Sequence, residues 1–424
     1  MKRKIDSFLI KWKDDENRKP LVIYGTKQVG KTYTALSFGE DNFESTVYVD
    51  ATNFSVLNEL LKKENTIDSV ISKLEEYTYK KIEKNNSLII IDNINNPEIV
   101  NYFKPFGRFK NDYHVILIVS LRESLSKFKG EELQYKSMLP MDYEEYLMAI
   151  DKQELIDFIK NSFKNNTKNP FHSVALEYYN NFVCTGGMPE AVMKTLETPN
   201  RLYLNSIYDK IIDVYRKESI MQDNLIDITR SFEIYESVGK QLSKSNKKFQ
   251  YGLIKDGGRS KEYENALNFL HNNGLIYKCY KLNEVKSPLL SNKDKDSFKV
   301  YYNDSGFLYK KLYINREQFD AEEKVRMLLY ENQIASTLVS NGFTLQYYQS
   351  SGIAEIDFVI QSRTGNIIPI ELCPHNKSKS KALSQYIEKY KPAEAIRLTG
   401  DNFTIRNKVR YIPFYAAFCL ENIL

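Results

Sequence analysis

The stretch Leu21-Val22-Ile23-Tyr24-Gly25-Thr26-Lys27-Gln28-Val29-Gly30-Lys31-Thr32 limits what this chain can fold into more than any other part of it. Its apolar start reads as a buried strand, and Tyr33-Thr34-Ala35-Leu36 opens a helix. Between them lies G-x-x-x-x-G-K-T, the P-loop spacing in the strand–loop–helix context that gives it chemical meaning. Gly25 and Gly30 let the backbone curl until successive N–H groups face one anion, and the following helix adds the positive end of its dipole. Gly25, Thr26, Lys27, Gln28, Val29 and Gly30 are therefore expected to cradle the phosphates of ATP. Lys31 reaches the β- and γ-phosphates, and the Thr32 hydroxyl ligates Mg²⁺.

A second apolar run, Ser87-Leu88-Ile89-Ile90-Ile91-Asp92, reads as a central parallel strand ending in a carboxylate. Ligands of open α/β sheets sit at that end of the strands, so Asp92 is the expected Walker B acid, holding Mg²⁺ through water. Residue 93 is Asn93, where hydrolytic ATPases of this architecture carry a glutamate. An amide positions water but cannot take its proton, so hydrolysis is slow or another acid serves. The strand His114–Val119 ends in Ser120, a sensor position near the γ-phosphate, with Arg122 close behind. Alternating strands and helices predict a parallel, doubly wound P-loop sheet in a core over residues 1–170, with a helical lid over 171–235 interrupted at Gly186-Gly187.

Composition excludes little else. No apolar run approaches the roughly 20 residues needed to span a bilayer, and no signal segment follows Met1-Lys2-Arg3-Lys4. Cys184, Cys279, Cys373 and Cys419 are too scattered to form a disulfide framework or a zinc site, which suits a cytoplasmic protein with reduced thiols. The net charge of +5 on 424 residues implies no polyanion partner, so local clusters must decide.

One such cluster lies in residues 236–315, where a helix ending at Gly274 precedes two strands, Leu275–Tyr280 and Phe298–Tyr302, as in a winged helix. Seven Lys/Arg and one acid between Lys240 and Lys261, among them Lys244, Lys247, Lys248 and Arg259, suit contact with a DNA backbone; a solvated face or a protein-binding surface is the alternative. Residues 316–424 form a further α/β unit. Glu331 on a helix, with Asp357 and Glu371 on neighbouring strands, could gather a divalent metal. A nuclease centre of this shape wants a lysine two residues after the glutamate; Cys373 stands there, and a thiol supplies no fixed positive charge. Lys377 or Lys381 could substitute. An inactive version of the site is the favoured reading.

Together these residues resemble the prokaryotic archaeal-type AAA+ ATPases that carry a winged helix and a C-terminal, restriction-endonuclease-like (PD-(D/E)xK-like) domain of unknown function. The resemblance covers nearly the whole chain. It rests on Arg18-Lys19-Pro20-Leu21 running into the P-loop, Gly186-Gly187-Met188-Pro189-Glu190, Lys248-Phe249-Gln250-Tyr251, Phe298-Lys299-Val300-Tyr301 with Asp304-Ser305-Gly306, and Ala354-Glu355-Ile356-Asp357-Phe358 with Ile368-Pro369-Ile370-Glu371. It implies ATP binding with Mg²⁺, a helical lid and a role linked to nucleic acid. It also implies an arginine offered to a neighbouring copy's nucleotide, for which Arg108, Arg122 and Arg259 are all open. The chain departs from the family at Asp92-Asn93, usually Asp-Glu, and at Glu371-Leu372-Cys373, usually Glu-x-Lys. The readings that remain are a nucleotide-dependent switch, an ATP-regulated DNA nuclease, and a scaffold ATPase whose winged helix binds protein.

Overall fold

A computed structural model of the chain describes residues 1–62, 66–109, 112–120, 125, 130–198, 202–219, 225–350, 355–375 and 380–423. It divides into two compact units, residues 1–139 with 272–274, and residues 140–271 with 275–424.

The first unit is built on five parallel strands in the order β2-β3-β4-β1-β5. They are β1 (Leu21–Tyr24), β2 (Ser45–Asp50), β3 (Ser87–Ile94), β4 (His114–Val119) and β5 (Gln134–Ser137). β1, β3 and β4 each carry an unbroken apolar run, residues 21–24, 88–91 and 115–119, because both faces are covered. β2 lies at an edge and alternates instead, with Val47 and Val49 buried and Tyr48 and Asp50 exposed. One face of the sheet packs on the helices Phe54–Leu61 and Ile67–Thr78 through Leu57, Leu61, Val70 and Leu74. The helix Lys4–Asp14 buries Ile5, Leu9 and Trp12, and the Trp12 indole N–H donates to the Lys19 carbonyl at 2.8 Å.

The β3–β4 register carries one irregularity: Ile91 faces Leu117, yet Ile94 faces Val119. β3 thus holds one residue more than its partner, a bulge at Asp92-Asn93, and Asn93 takes a φ of +55°.

The second unit begins earlier than sequence reading expected. Residues 140–170, expected with the P-loop core, pack here because Tyr143 and Tyr146 of the helix Tyr143–Ala149 stack into a buried aromatic group with Tyr179, Phe182 and Phe418. Two sheets follow. One runs β7-β6-β8-β9, with β6 (Ile276–Leu282) antiparallel to β7 (Lys293–Tyr302) and parallel to β8 (Gln346–Gln349), and β9 (Glu355–Ile356) at the edge. This sheet crosses the boundary expected at residues 315/316. The other runs β10-β11-β12-β14-β13: Phe358–Gln361, Ile367–Cys373, Ala395–Thr399, Val409–Pro413 and Thr404–Arg406. Asp357 separates β9 from β10, and the two belong to different sheets.

Two of the sequence motifs meet in this unit. Asp304 is buried and accepts from the Gly187 N–H, from the Gly306 N–H at 2.8 Å and from the Tyr208 hydroxyl at 2.8 Å. Gly186 has a φ of +82°, and a Cβ there would lie 2.0 Å from the Tyr208 hydroxyl oxygen. Only glycine fits the turn. The Asp304-Ser305-Gly306 and Gly186-Gly187-Met188-Pro189 segments are therefore two halves of one structural latch, completed by the Ser305 hydroxyl donating to the Val183 carbonyl at 2.9 Å.

Candidate nucleotide-binding site

The loop after β1 supplies the core of the site. Gln28 and Gly30 take φ values of +67° and +92°, and Gly30 is the N-cap of the twelve-residue helix Lys31–Asn42. A Cβ on Gly25 would lie 1.9 Å from the Met138 carbonyl oxygen, so close packing under the loop demands glycine there. Arg3 braces the loop from the opposite end of the sequence. Its guanidinium donates to the Val29 and Leu139 carbonyls, both at 2.9 Å. Nothing in the sequence marks Arg3 for this task, because the contact depends on where the first helix starts.

Lys31 is buried, and its ammonium donates to the Gly25 and Thr26 carbonyls, both at 2.8 Å. The Thr26 hydroxyl is buried without a hydrogen-bond partner inside the loop, a donor available to an anion. Val29 is buried, Lys27 half-buried and Gln28 exposed.

Thr32 and Asp92 come together. The Thr32 hydroxyl donates to Asp92 Oδ2 at 2.6 Å, the Tyr48 hydroxyl donates to the same oxygen at 3.1 Å, and the Asn93 N–H donates to Oδ1 at 2.6 Å. Burial, followed by the Asp92 charge, pushes the Tyr48 phenol well above its ordinary range, so it stays a donor. A hydroxyl and a carboxylate make a hard-oxygen pair of the kind Mg²⁺ takes. With the unpartnered Thr26 hydroxyl and the Lys31 ammonium beside them, the residues present fit a magnesium–nucleotide. Asp50 stands next in line: burial pushes its carboxyl up, but the Thr52 hydroxyl and N–H and the Asn93 amide outweigh that and hold it below its usual value. Ser120 is buried just past the end of β4, between β1 and β3 in the sheet order. Arg108 is ion-paired to Glu132 at 3.1 Å, Arg259 is exposed, and Arg122 lies outside the described residues.

The C-terminal carboxylates are arranged differently from the expected metal centre. Among the described residues no three His, Cys, Asp or Glu side chains converge to hold a metal. Glu331 is buried and ion-paired to Lys247 and, at 3.6 Å, to Lys299, while the Tyr301 hydroxyl donates to it at 2.7 Å. Lys299 is 2% exposed along its side chain; it also pairs with Glu355 and lies 4.9 Å from the centre of the Tyr347 ring. Burial lowers the Lys299 ammonium's affinity for its proton, but Glu331, Glu355 and Asp357 outweigh it and the net shift is upward. Burial pushes Glu331 up too, yet Lys299 and Lys247 leave it well below the carboxylate range. Asp357 accepts from the Leu372 N–H at 2.8 Å, and burial together with the Glu331 charge drives its carboxyl well above the ordinary value. Glu371 is held apart from that group: Arg397 lies 2.7 Å away and the Ser380 hydroxyl donates to it. Cys373 is buried with its thiol directed at the His375 carbonyl. Lys381 begins the helix Lys381–Tyr390, and Lys377 lies outside the described residues. Lys299 is the cation that sequence reading missed; a lysine inside the apolar run Phe298–Tyr302 was its signal.

Of the expected DNA-contacting set, Lys244, Lys248 and Arg259 are exposed, whereas Lys247 is spent on Glu331. The helix Ser260–Asn272 exposes Glu262 and Glu264 alongside Lys261.

Residues 17–147 match an AAA domain, residues 176–318 a domain of unknown function (DUF8612), and residues 328–416 a second domain of unknown function (DUF4143). No curated protein matches the chain. Among solved structures, the Walker-type ATPase of Pyrococcus abyssi is similar at 12% identity and a TM-score of 0.39, covering 74% of this chain and 96% of that one. The Aeropyrum pernix ORC1 protein in complex with DNA gives 12% identity and a TM-score of 0.30, with 77% and 92% covered. Drosophila ORC bound to DNA gives 14% and 0.27, with 69% and 90% covered. Superpositions this loose say nothing of site geometry. The AAA match covers the N-terminal third of the chain and includes the P-loop and Asp92.

Proposed function

We propose that the chain binds ATP with Mg²⁺ at Gly25–Thr32 and Asp92 and hydrolyses it, the nucleotide state switching what its C-terminal half engages. The observation that carries this reading is the 2.6 Å contact between the Thr32 hydroxyl and Asp92 beside the buried Lys31 ammonium. Lys31 exchanges the Gly25 and Thr26 carbonyls for phosphate oxygens, the loop N–H groups and the Thr26 hydroxyl orient the triphosphate, and Tyr48 keeps Asp92 aimed at Thr32. Thr32 and Asp92 would hold Mg²⁺, which would supply charge neutralisation to the triphosphate. Ser120 senses the γ-phosphate. Arg108, Arg122 or Arg259 serves a second copy's nucleotide.

Lys244, Lys248 and Arg259 support DNA as the engaged partner through the winged-helix region, residues 236–315; a protein partner is the alternative. Lys299, Lys247 and Arg397 occupy the carboxylates that a nuclease centre requires, which disfavours the nuclease alternative.

Binding of a fluorescent ATP analogue and phosphate release test the reading in wild type and Lys31→Ala. Loss of at least about tenfold in affinity, roughly 1.4 kcal/mol, is expected for the variant, with turnover gone. Equal binding by both proteins overturns the assignment.

A further inference from the structure

The carboxylate that Asn93 cannot provide stands one strand away. β2 ends beside β3, and the last paired residues of the two strands are Asp50 and Asp92. The Ala51 N–H donates to the Asp92 carbonyl at 2.8 Å, tying the two strand ends together. The bulge at Asp92-Asn93 swings the Asn93 amide toward β2, where its Nδ2 donates to Asp50 Oδ1 at 3.3 Å. That same oxygen accepts from the Thr52 N–H at 2.9 Å and the Thr52 hydroxyl at 2.5 Å. All three donors fall on Oδ1, so the carboxylate is fixed through one oxygen and presents Oδ2. Asp50 is exposed and lies on the same face of β2 as Tyr48, whose hydroxyl reaches Asp92. The site therefore holds a solvent-accessible carboxylate, oriented by an amide, next to the Asp92 that contacts Thr32.

We infer that Asp50 is the catalytic base of the hydrolysis proposed above, on which this inference rests, and that Asn93 is its positioning residue. The carboxylate thus stands on β2 instead of at residue 93, where the Asp-Glu arrangement of the resembled family places it. A water oxygen bonds to the γ-phosphorus while the bond from that phosphorus to the bridging oxygen breaks, and its electron pair leaves with ADP. One proton of the water passes to Asp50 Oδ2 and then to solvent; the other stays on the phosphate. Asn93 can hold that water but has no site for its proton.

The test uses the full chain and measures phosphate release at saturating Mg·ATP, binding of a fluorescent ATP analogue and thermal melting. It compares wild type, Lys31→Ala, Asp50→Asn and the exchange Asp50→Asn/Asn93→Asp. Asp50→Asn is expected to bind the analogue within about threefold of wild type and to lose about 100-fold or more in kcat. The exchange returns a carboxylate to the pair and keeps its charge, so it is expected to recover at least about tenfold over Asp50→Asn. Turnover by Asp50→Asn within about threefold of wild type overturns the inference. Loss of binding in parallel with turnover also overturns it, since that marks a structural role. A wild type that binds but does not hydrolyse overturns it while leaving the binding site assigned. A wild type that binds no better than Lys31→Ala overturns the nucleotide reading itself.

Discussion

The Asn93 N–H donates to its own neighbour, Asp92 Oδ1, at 2.6 Å, and it can do so only because Asn93 sits at φ +55° in a strand bulge. Asparagine tolerates that conformation better than most residues, whereas a β-branched side chain there is strained by roughly 1–2 kcal/mol. Asn93→Gly is expected to melt within a degree or two of wild type, and Asn93→Val to lose roughly 2–8 °C, at on the order of 2–4 °C per kcal/mol for a unit of about 150 residues. Asn93→Glu, which restores the sequence expected after a Walker B aspartate, replaces the donor to Asp50 with a second carboxylate. Phosphate release by that variant should be no faster than wild type, and its melting temperature lower. A clear gain in rate would show that residue 93 alone limits hydrolysis.

The buried Arg3 is expected to matter for the P-loop although it lies outside it. Its guanidinium bonds to the Val29 and Leu139 carbonyls, each bond to a charged group being worth about 1.5–3 kcal/mol. Arg3→Lys keeps the charge but loses the fork that reaches both carbonyls. Both Arg3→Ala and Arg3→Lys should weaken binding of a fluorescent ATP analogue severalfold and lower the urea midpoint, the alanine variant more. Unchanged affinity in Arg3→Ala would mean that the helix Lys4–Asp14 holds the loop by packing alone.

What was legible in the sequence follows from how local each signal is. The P-loop, the strand before it and Asp92 are contiguous patterns, and their apolar runs needed no partner to be read. Asp50 and Tyr48 went unmarked as site residues because their role depends on β2 lying beside β3, a pairing of strands about forty residues apart. The bulge at Asp92-Asn93 is likewise a property of register against β4, which no local pattern carries. In the second unit, Asp357 and Glu371 were read as neighbours on paired strands, and the β10–β11 pairing does bring those chain segments together. The cations were missed because Lys299 arrives from β7 and Arg397 from β12. The Gly186-Gly187 and Asp304 motifs were visible only as a resemblance; their physical reason appears once Tyr208 is seen between them.

Lys299 supplies a third expectation. It faces Glu331 and Glu355 from a position 2% exposed, so removing its charge leaves the buried Glu331 with Lys247 as its remaining cation and the half-buried Glu355 without this partner. Lys299→Met is expected to cost about 3–5 kcal/mol in urea unfolding. Lys299→Met combined with Glu331→Gln removes one charge of each sign and should regain a substantial part of that loss. The effect should change little between low and high salt, because buried pairs are poorly screened. A Lys299→Met loss below about 1 kcal/mol would place the ammonium in solvent.

Asp304 gives a pH dependence whose sign is fixed by its surroundings. Burial pushes its carboxyl up from 3.8 to about 6, and the donors from Gly187, Tyr208 and Gly306 offset only part of that. The folded state therefore holds the Asp304 proton more tightly than the unfolded chain does. Stability from this group is fully present below about pH 4 and is lost as the pH rises through about 6. A shift of that size corresponds to about 3 kcal/mol at 1.36 kcal/mol per unit. Asp304→Asn does not titrate, so the difference in unfolding free energy between wild type and this variant should change by about 2 kcal/mol between pH 4 and 6.5, with wild type losing ground as the pH rises. The variant should still be less stable than wild type at pH 5, because an amide must present N–H to either the Gly187 N–H or the Gly306 N–H, leaving a buried donor unmatched. A wild-type-minus-variant difference that is flat across this range would show that Asp304 keeps the same charge in the folded and unfolded chain.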